Sequence, residues 1–456
     1  MNIPGLGLEV VAAPTAATSG PRTVKLGPFW EWRFEVGFNS EIKVKLLSGT
    51  AEKDGTELAI QRPYRFSGVK TKILTLAGCE LQVEGAPDDE FVAEFYNPVE
   101  SPMNSYINLH FKLTALRQRA AAAGTEGPRV LVCGPPNTGK TSLARTLAGY
   151  ATRNSAQPLF VNADPKEGAL SLPGTIGAAV LATIQDVEAV DGWGTTPTSG
   201  PSQVPVKLPL VHYYGSERTT DRTPRYRELV SQLASSVTSR FTQDPDVKSS
   251  GMIIDTQAVS EKSPQELDNV VHVAEELSAN IIIVLGSSRV NAELVRRFST
   301  ERTSLGEEIH VIHLDKSEGV VARDASVMQQ LCEATIKEYF FGAIGQTLSP
   351  ATQQVEFDSL VIYQLGDDSM YGGSDDGIRR TEPTPHMAHY TLAVMYASAK
   401  DTPEVIRTAS VMGYVYVAEV DKERRKVKIL APVSGRLGDR PLLFGTYPEP
   451  FINLLG

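Results

Sequence analysis

The segment Gly134-Pro135-Pro136-Asn137-Thr138-Gly139-Lys140-Thr141 fits the pattern G-x-x-x-x-G-K-[ST] at every fixed position. It constrains the fold more than any other stretch, because the pattern works only between a strand and a helix. Both are present in the sequence: residues 129–133 are a short apolar run, and 142–150 are rich in Ala and Leu. The glycines let such a loop wrap a phosphate, so that backbone N–H groups and the helix N-terminus face the anion. Asn137, Thr138 and Gly139 complete the loop, and Lys140 is placed for the β- and γ-phosphates. Thr141 is placed for Mg²⁺ and Ser142 for the α-phosphate. The alternative is a Gly-rich turn without a ligand.

From the loop onward, apolar runs alternate with amphipathic stretches. The runs fall at 159–161, 208–212, 251–254, 280–285 and 310–314, with helical patterns at 226–240, 264–277, 291–297 and 325–339. This is the signature of a parallel sheet with helices on both faces. Before it, residues 30–83 break into short alternating segments separated by turns such as Ser48-Gly49 and Asp54-Gly55, as in a small antiparallel β domain. A helix is expected over 105–123, with Leu109, Leu113 and Leu116 on one side. After residue 345 strand patterns return. The expected fold is therefore a multi-domain α/β chain: a flexible tail over 1–23, an N-terminal β domain over 24–104, a central P-loop kinase-like domain over 105–345 and a C-terminal β-rich domain over 346–456. The segment 194–201 reads as a solvated loop, and 366–385, with four aspartates, as a mobile insertion.

A P-loop needs a carboxylate to organise magnesium and any nucleophile. Asp164 and Asp255 both stand at the ends of expected parallel strands, where ligands of open α/β sheets bind; the alternative for each is a strand-end turn residue. Arg323 opens an expected helix, and reads either as a phosphate clamp or as a solvated salt-bridge partner. The alternating Trp30, Trp32 and Phe34 read as β-domain core, and Arg424-Arg425-Lys426 as a hairpin turn rather than a localisation patch. Composition narrows the partners. Lys plus Arg is 44 against 54 Asp plus Glu, a formal charge of −10, so bulk charge does not recruit nucleic acid. Three scattered cysteines, Cys79, Cys133 and Cys332, support neither a disulfide framework nor a zinc cluster. With no apolar run of membrane-spanning length, the expectation is a soluble, intracellular chain.

Several segments together resemble a known family. They are Gly127-Pro128-Arg129-Val130 running into the P-loop, Ala51-Glu52 with Gly55-Thr56-Glu57-Leu58, Lys316-Ser317-Glu318-Gly319-Val320-Val321, and Lys337-Glu338-Tyr339-Phe340-Phe341-Gly342. From about Leu26 onward the chain resembles the fungal Clp subunit of the pre-mRNA cleavage and polyadenylation machinery (cleavage factor IA), a family related to RNA 5′-hydroxyl polynucleotide kinases. The resemblance implies ATP with Mg²⁺ between the N-terminal and central domains. Residues Asn137 to Ser142 would hold the triphosphate, and Glu31 and Lys70 would touch the nucleotide. Asp164 would match the carboxylate that activates the RNA 5′-hydroxyl. It further implies nuclear residence and a partner docked on the α/β domain, the subunit known for contacting the polymerase C-terminal tail. The acidic balance favours that protein partner over extensive RNA contact.

The departures from active relatives are specific. Those relatives show Asp-x-Gly-Gln where this chain has Asp164-Pro165-Lys166-Glu167. They carry a tryptophan after the strand-end Thr, where this chain runs Thr256-Gln257-Ala258-Val259-Ser260. Of their two lid arginines five apart, the first matches Arg323 and the second falls on Met328. Losing an arginine that stabilises the transferring phosphoryl costs about 10³–10⁵ in rate, or about 4–7 kcal/mol of barrier. Losing the aromatic clasp removes roughly 1–3 kcal/mol of stacking. The groups that hold ATP remain, so the expectation is an ATP-binding scaffold subunit required for endonucleolytic cleavage in polyadenylation-dependent 3′-end formation, without turnover. The competing readings are an active ATP-dependent polynucleotide 5′-hydroxyl kinase, using Asp164, Lys140 and Arg323, and a slow ATPase switch.

Overall fold

The computed structural model describes residues 20–189, 208–343, 346–366, 377–435, 437 and 439–455. Residues 1–19 of the expected tail, the expected loop at 194–201 and residues 367–376 of the expected insertion lie outside the described residues. The chain forms two compact units. One is built up to Ala51 and by Leu58–Glu94, the other by Glu52–Glu57 and from Phe95 onward.

The first unit is an antiparallel β-sandwich. Strands Arg22–Leu26, Cys79–Glu84, Ile42–Gly49 and Pro63–Phe66 pair in that order. Glu31–Val36 pairs antiparallel with Val69–Leu74 on one side and Asp89–Ala93 on the other. The period-2 burial of Ile42, Val44 and Leu46 follows from the pleat, which turns alternate side chains to the core. Trp32 and Phe34 are buried and stacked with ring centroids 4.2 Å apart, which makes them core residues.

In the second unit the elements are α1 (Pro102–Ala123), β1 (Arg129–Cys133), α2 (Lys140–Arg153), β2 (Leu159–Ala163), β3 (Thr175–Val180), β4 (Leu210–Tyr213), α3 (Thr223–Gln243), α4 (Pro245–Ser250), β5 (Met252–Thr256), α5 (Pro264–Glu276), β6 (Ile281–Leu285), α6 (Ser288–Phe298), β7 (His310–Leu314) and α7 (Ala325–Phe341). The strands form one sheet in the order β4-β3-β2-β5-β1-β6-β7. β2, β5, β1, β6 and β7 are parallel, while β3 runs antiparallel to both of its neighbours. The sequence reading has no strand there, because Thr-Ile-Gly-Ala-Ala-Val lacks an unbroken run of large apolar residues. Its direction follows from the connection 164–174, which contains no helix, whereas a parallel return needs a crossover, usually helical.

The central strands are apolar on both faces, as a sheet covered on two sides requires. Leu131, Ile254, Ile282 and Val284 pack with α3, α5 and α6 residues such as Leu229, Val273 and Leu294, and α2 lies against β1 and β5. α1 buries Met103, Tyr106, His110, Leu113, Arg117 and Ala120. Of the three leucines expected to line it, only Leu113 is buried, because the stripe runs one step round the helix.

The hairpin Glu52–Glu57 belongs to this second unit, although its flanks belong to the first. It presses on α2 so closely that a Cβ on Gly149 would sit 2.8 Å from the Asp54 carbonyl oxygen, and one on Gly55 2.5 Å from the Thr146 carbonyl oxygen. Charges inside the contact are paired. Asp54 takes Lys53 and Arg145, Glu52 takes Arg153, and the Tyr150 hydroxyl donates to Glu52.

A further seven-stranded sheet is ordered Ala351–Glu356, Lys426–Ala431, Val411–Asp421, Thr391–Met395, Leu442–Phe444, Ile362–Leu365 and Ile378–Thr381. One of its faces packs on Val211 and Tyr213 of β4 and on Ile336, Tyr339 and Phe340 of α7. Its hairpin turn carries Arg425 at φ +50°, paired to Asp358 and Glu382, in agreement with the turn reading of Arg424-Arg425-Lys426. Among the described residues no helix is long and apolar enough to cross a membrane.

Candidate functional site

The loop from Gly134 to Gly139 leaves β1 at the sheet's C-terminal edge and enters α2 directly. Backbone conformation selects its residues. Gly134 has φ +148°, and a Cβ there would strike the Leu285 carbonyl oxygen at 2.4 Å. Gly139 caps the helix at φ +86°, and Asn137 takes the left-handed conformation at φ +54°, which asparagine tolerates better than most residues. The Thr138 hydroxyl closes the loop by donating to the Pro135 carbonyl at 2.9 Å. Lys140 is buried and folds across its own loop, with Nζ 3.1 Å from the same carbonyl. Ser142 stands exposed on the first turn of α2.

The two strand-end aspartates converge beside this loop. β2 and β5 are neighbours in register Asn162↔Asp255, so Asp164 and Asp255 emerge side by side at the C-terminal edge. Both are buried. The Thr141 hydroxyl bonds the Asp255 carboxylate, while Asp255 Oδ1 is buried without a hydrogen-bond partner. An orphaned carboxylate oxygen beside a P-loop hydroxyl is the donor set that magnesium takes alongside phosphate oxygens. Among the described residues there is no group of three His, Cys, Asp or Glu side chains able to hold a metal by themselves.

Burial, and next the Glu167 carboxylate, push Asp255 up to about 7, against the opposing Thr141 hydrogen bond. Burial and then Glu167 likewise push Asp164 up to about 7, against the Lys166 backbone N–H and the Lys140 charge. Unfolded aspartates titrate near 3.9, so between about pH 4 and pH 7 the folded chain binds more protons than the unfolded one, and stability falls as pH rises. Ligand-free protein in chelator is therefore expected to be less stable at pH 8 than at pH 5.5. Asp255→Asn should flatten that dependence and stabilise the chain at pH 8 by about 1–3 kcal/mol, read by denaturant titration.

The structure adds residues that the sequence reading passed over. Gln257, noted only for not being tryptophan, donates Nε2 to the Glu217 carbonyl at 2.9 Å and approaches Asp164 Oδ1 at 3.5 Å, while its Oε1 accepts from the Thr219 N–H. It therefore orients Asp164 from the residue just past β5. The Tyr226 hydroxyl bonds the Ala163 carbonyl at the end of β2. Arg323 does not open α7 but lies in the loop just before it, ahead of the N-cap Asp324, and its backbone N–H donates to Asn137 Oδ1 at 3.3 Å. Its guanidinium, however, pairs with Glu167 at 3.7 Å.

In the first unit, Glu31 is fully buried and binds Lys72 at 2.5 Å and Arg33 at 2.9 Å. Lys70 pairs with Glu35 at 2.8 Å, directly across the strand pair. Both candidates thus stand in a charged ladder on one face of Glu31–Val36 and Val69–Leu74.

Successive parts of the chain match three family descriptions. They are the N-terminal beta-sandwich domain of polyadenylation factor over residues 25–120, the mRNA cleavage and polyadenylation factor CLP1 P-loop over 134–342 and pre-mRNA cleavage complex II protein Clp1 over 348–449. The chain is 49% identical over 469 residues to the mRNA cleavage and polyadenylation factor clp1 of Botryotinia fuckeliana, covering all of both chains. It is also 49% identical over 463 residues to that of Pyricularia oryzae, again over both full lengths. It resembles the solved wild-type Clp1p–Pcf11p (454–563) complex with a TM-score of 0.83 at 29% identity, covering 94% of this chain and 98% of that one. A second solved structure, of an extended Pcf11p–Clp1p interface and ATP loss in a point mutant, gives 0.84 at the same identity and coverage.

Proposed function

The chain belongs to the CLP1 family of mRNA cleavage and polyadenylation factors, and from that premise we propose that it is an ATP-binding scaffold subunit of the nuclear pre-mRNA cleavage complex. In this role it is required for endonucleolytic cleavage during polyadenylation-dependent 3′-end formation and does not turn its nucleotide over. One observation carries the reading: the phosphate loop and its two carboxylates stand assembled, while the single lid arginine is tied to Glu167. Mg²⁺ is assigned to Thr141 and Asp255, with Asp164 beside them. Ser142 is assigned to the α-phosphate, and Glu31 and Lys70 are carried as nucleotide contacts on the family resemblance alone.

The partner that fits is a cleavage-complex subunit like the Pcf11p bound in the solved relatives, the subunit that contacts the polymerase C-terminal tail. RNA contact is weak or indirect in this reading, consistent with a chain of net charge −10. A ligand bound only by the folded state at about 1,000 times its dissociation constant adds about 4 kcal/mol of stability, enough for a retained ATP to be structural.

The kinase reading has one specific observation in its favour. Asp164, pushed up to about 7, has the proton affinity of a general base near neutral pH. Mass spectrometry of the nucleotide released on denaturing the purified protein separates the readings. Intact ATP is expected. ADP indicates a slow ATPase, and transfer of labelled γ-phosphate to a 5′-hydroxyl RNA, lost in Lys140→Ala, indicates a kinase.

A further inference from the structure

The chain brings a third carboxylate, Glu167, to the two buried aspartates. Glu167 sits in the connection 164–174, three residues past Asp164, and its carboxylate is felt by both buried aspartates. Three acidic side chains therefore surround one site. The cations nearby are accounted for: Lys140 lies in the loop, Lys166 is bound to Glu217 at 2.6 Å, and Arg323 is bound to Glu167. Beyond Glu167 lies a cleft lined by Lys166, Glu167, Arg323, Met328, Cys332 and Thr335, with an empty volume of about 260 Å³.

Arg323 is held close to the phosphate loop by its backbone. Its N–H bonds Asn137, and Val320 Cγ2 lies 3.1 Å from where a Cβ on Gly139 would stand. Its guanidinium pairs with Glu167 at 3.7 Å, and both side chains are about one-quarter exposed, so solvent screens the pair.

We propose that Glu167 is a specificity-determining residue: an internal anion that holds Arg323 and occupies the place of a second, phosphate-bearing substrate, so that the site admits a nucleoside triphosphate alone. This deepens the nucleotide-binding reading and rests on it. Glu167 touches neither nucleotide nor magnesium; it acts through Arg323 and through its own charge. Neutralising it frees the guanidinium for the phosphates and removes one negative charge from the acceptor side.

The test is a double-mutant cycle on the full chain: wild type, Glu167→Gln, Arg323→Ala and the pair, each titrated calorimetrically with ATP and Mg²⁺. Glu167→Gln is expected to bind about tenfold tighter than wild type, and most of that gain is expected to vanish when Arg323 is alanine, as for close charge pairs whose coupling has been measured. In the presence of a non-hydrolysable ATP analogue, a 5′-hydroxyl oligoribonucleotide is expected to bind Glu167→Gln several-fold more tightly than wild type. Without nucleotide Arg323→Ala should unfold close to wild type, since its side chain is partly exposed, and the two Glu167→Gln proteins at or slightly above it, since a like charge beside two buried aspartates is removed. Equal ATP affinity of wild type and Glu167→Gln overturns the proposal, as does an equal gain in both arginine backgrounds. Should ATP bind none of the four, the nucleotide-binding reading itself fails, and the proposal with it.

Discussion

Lys140→Ala is expected to weaken Mg²⁺·ATP binding by about 100-fold or more, with the ligand-free fold intact. A hydrogen bond to a charged group contributes roughly 1.5–3 kcal/mol, and each 1.4 kcal/mol is a factor of about ten in affinity. In the proposed complex lysine at this position is also the full positive charge placed for the β- and γ-phosphates. Without a nucleotide, Lys140 donates to the Pro135 carbonyl and its charge also favours the ionised forms of the buried Asp164 and Asp255; the ligand-free comparison is therefore made at pH 6, where burial keeps both carboxyls largely protonated and the truncation costs little. Calorimetric titration with ATP reads the affinity. Thermal unfolding without nucleotide should match wild type, whereas the stabilisation that wild type gains from saturating ATP, about 4 kcal/mol at 1,000 times its dissociation constant, should largely disappear. An unchanged affinity would remove the loop from the function.

The largest expected effect on stability is at Gly149→Val. The hairpin backbone at Asp54 and Gly55 comes within 2.8–2.9 Å of any Cβ at this position, and the atoms in the way are main chain, which cannot rotate aside. Valine forces the hairpin off α2 and separates Asp54 from Arg145 and Glu52 from Arg153. Overpacking of this kind costs about 1–3 kcal/mol, and breaking a buried pair costs several more. A loss of about 3 kcal/mol or more is expected by denaturant titration. The comparison variant is an alanine at solvent-exposed Thr242, near the end of α3, where the change should stay within about 0.5 kcal/mol.

What the sequence discloses here follows the distance over which a feature is encoded. The phosphate loop is legible because its geometry depends on residues next to one another: Gly134 must admit the Leu285 carbonyl, and Gly139 must adopt positive φ. Asp164 and Asp255 are legible because unbroken apolar runs stop at or just before them, Asp164 following β2 and Asp255 standing one residue from the end of β5. β3 is hidden, since a Gly/Ala-rich strand on the sheet's flank carries no period of its own. The membership of the Glu52–Glu57 hairpin in the second unit is hidden as well, because its partners Arg145, Tyr150 and Arg153 lie about ninety or more residues along the chain. The same holds at the site. Arg323 is visible as a candidate clamp, but the carboxylate that holds it comes from a different connection of the sheet. Gln257 is read for the aromatic ring it lacks, whereas its amide bridges Asp164 and Glu217.

Helix α7 begins at Asp324, whose carboxylate caps it by accepting from the Val327 N–H at 2.8 Å, immediately after Arg323. About 25 Å further on, at 1.5 Å per residue, its far end is sunk among the aromatic rings of the last sheet, where the Tyr339 hydroxyl accepts from the Tyr414 N–H. The arginine thus stands just ahead of a rod whose anchorage lies in another layer of the molecule. Excising the last sheet would leave Ile336, Tyr339 and Phe340 facing water and the rod without a footing. The segment that leads into α7 is in this sense a tenant of the C-terminal sheet, and a truncated protein that kept the whole of Gly134–Thr141 is expected to lose the placement of Arg323 beside Asn137.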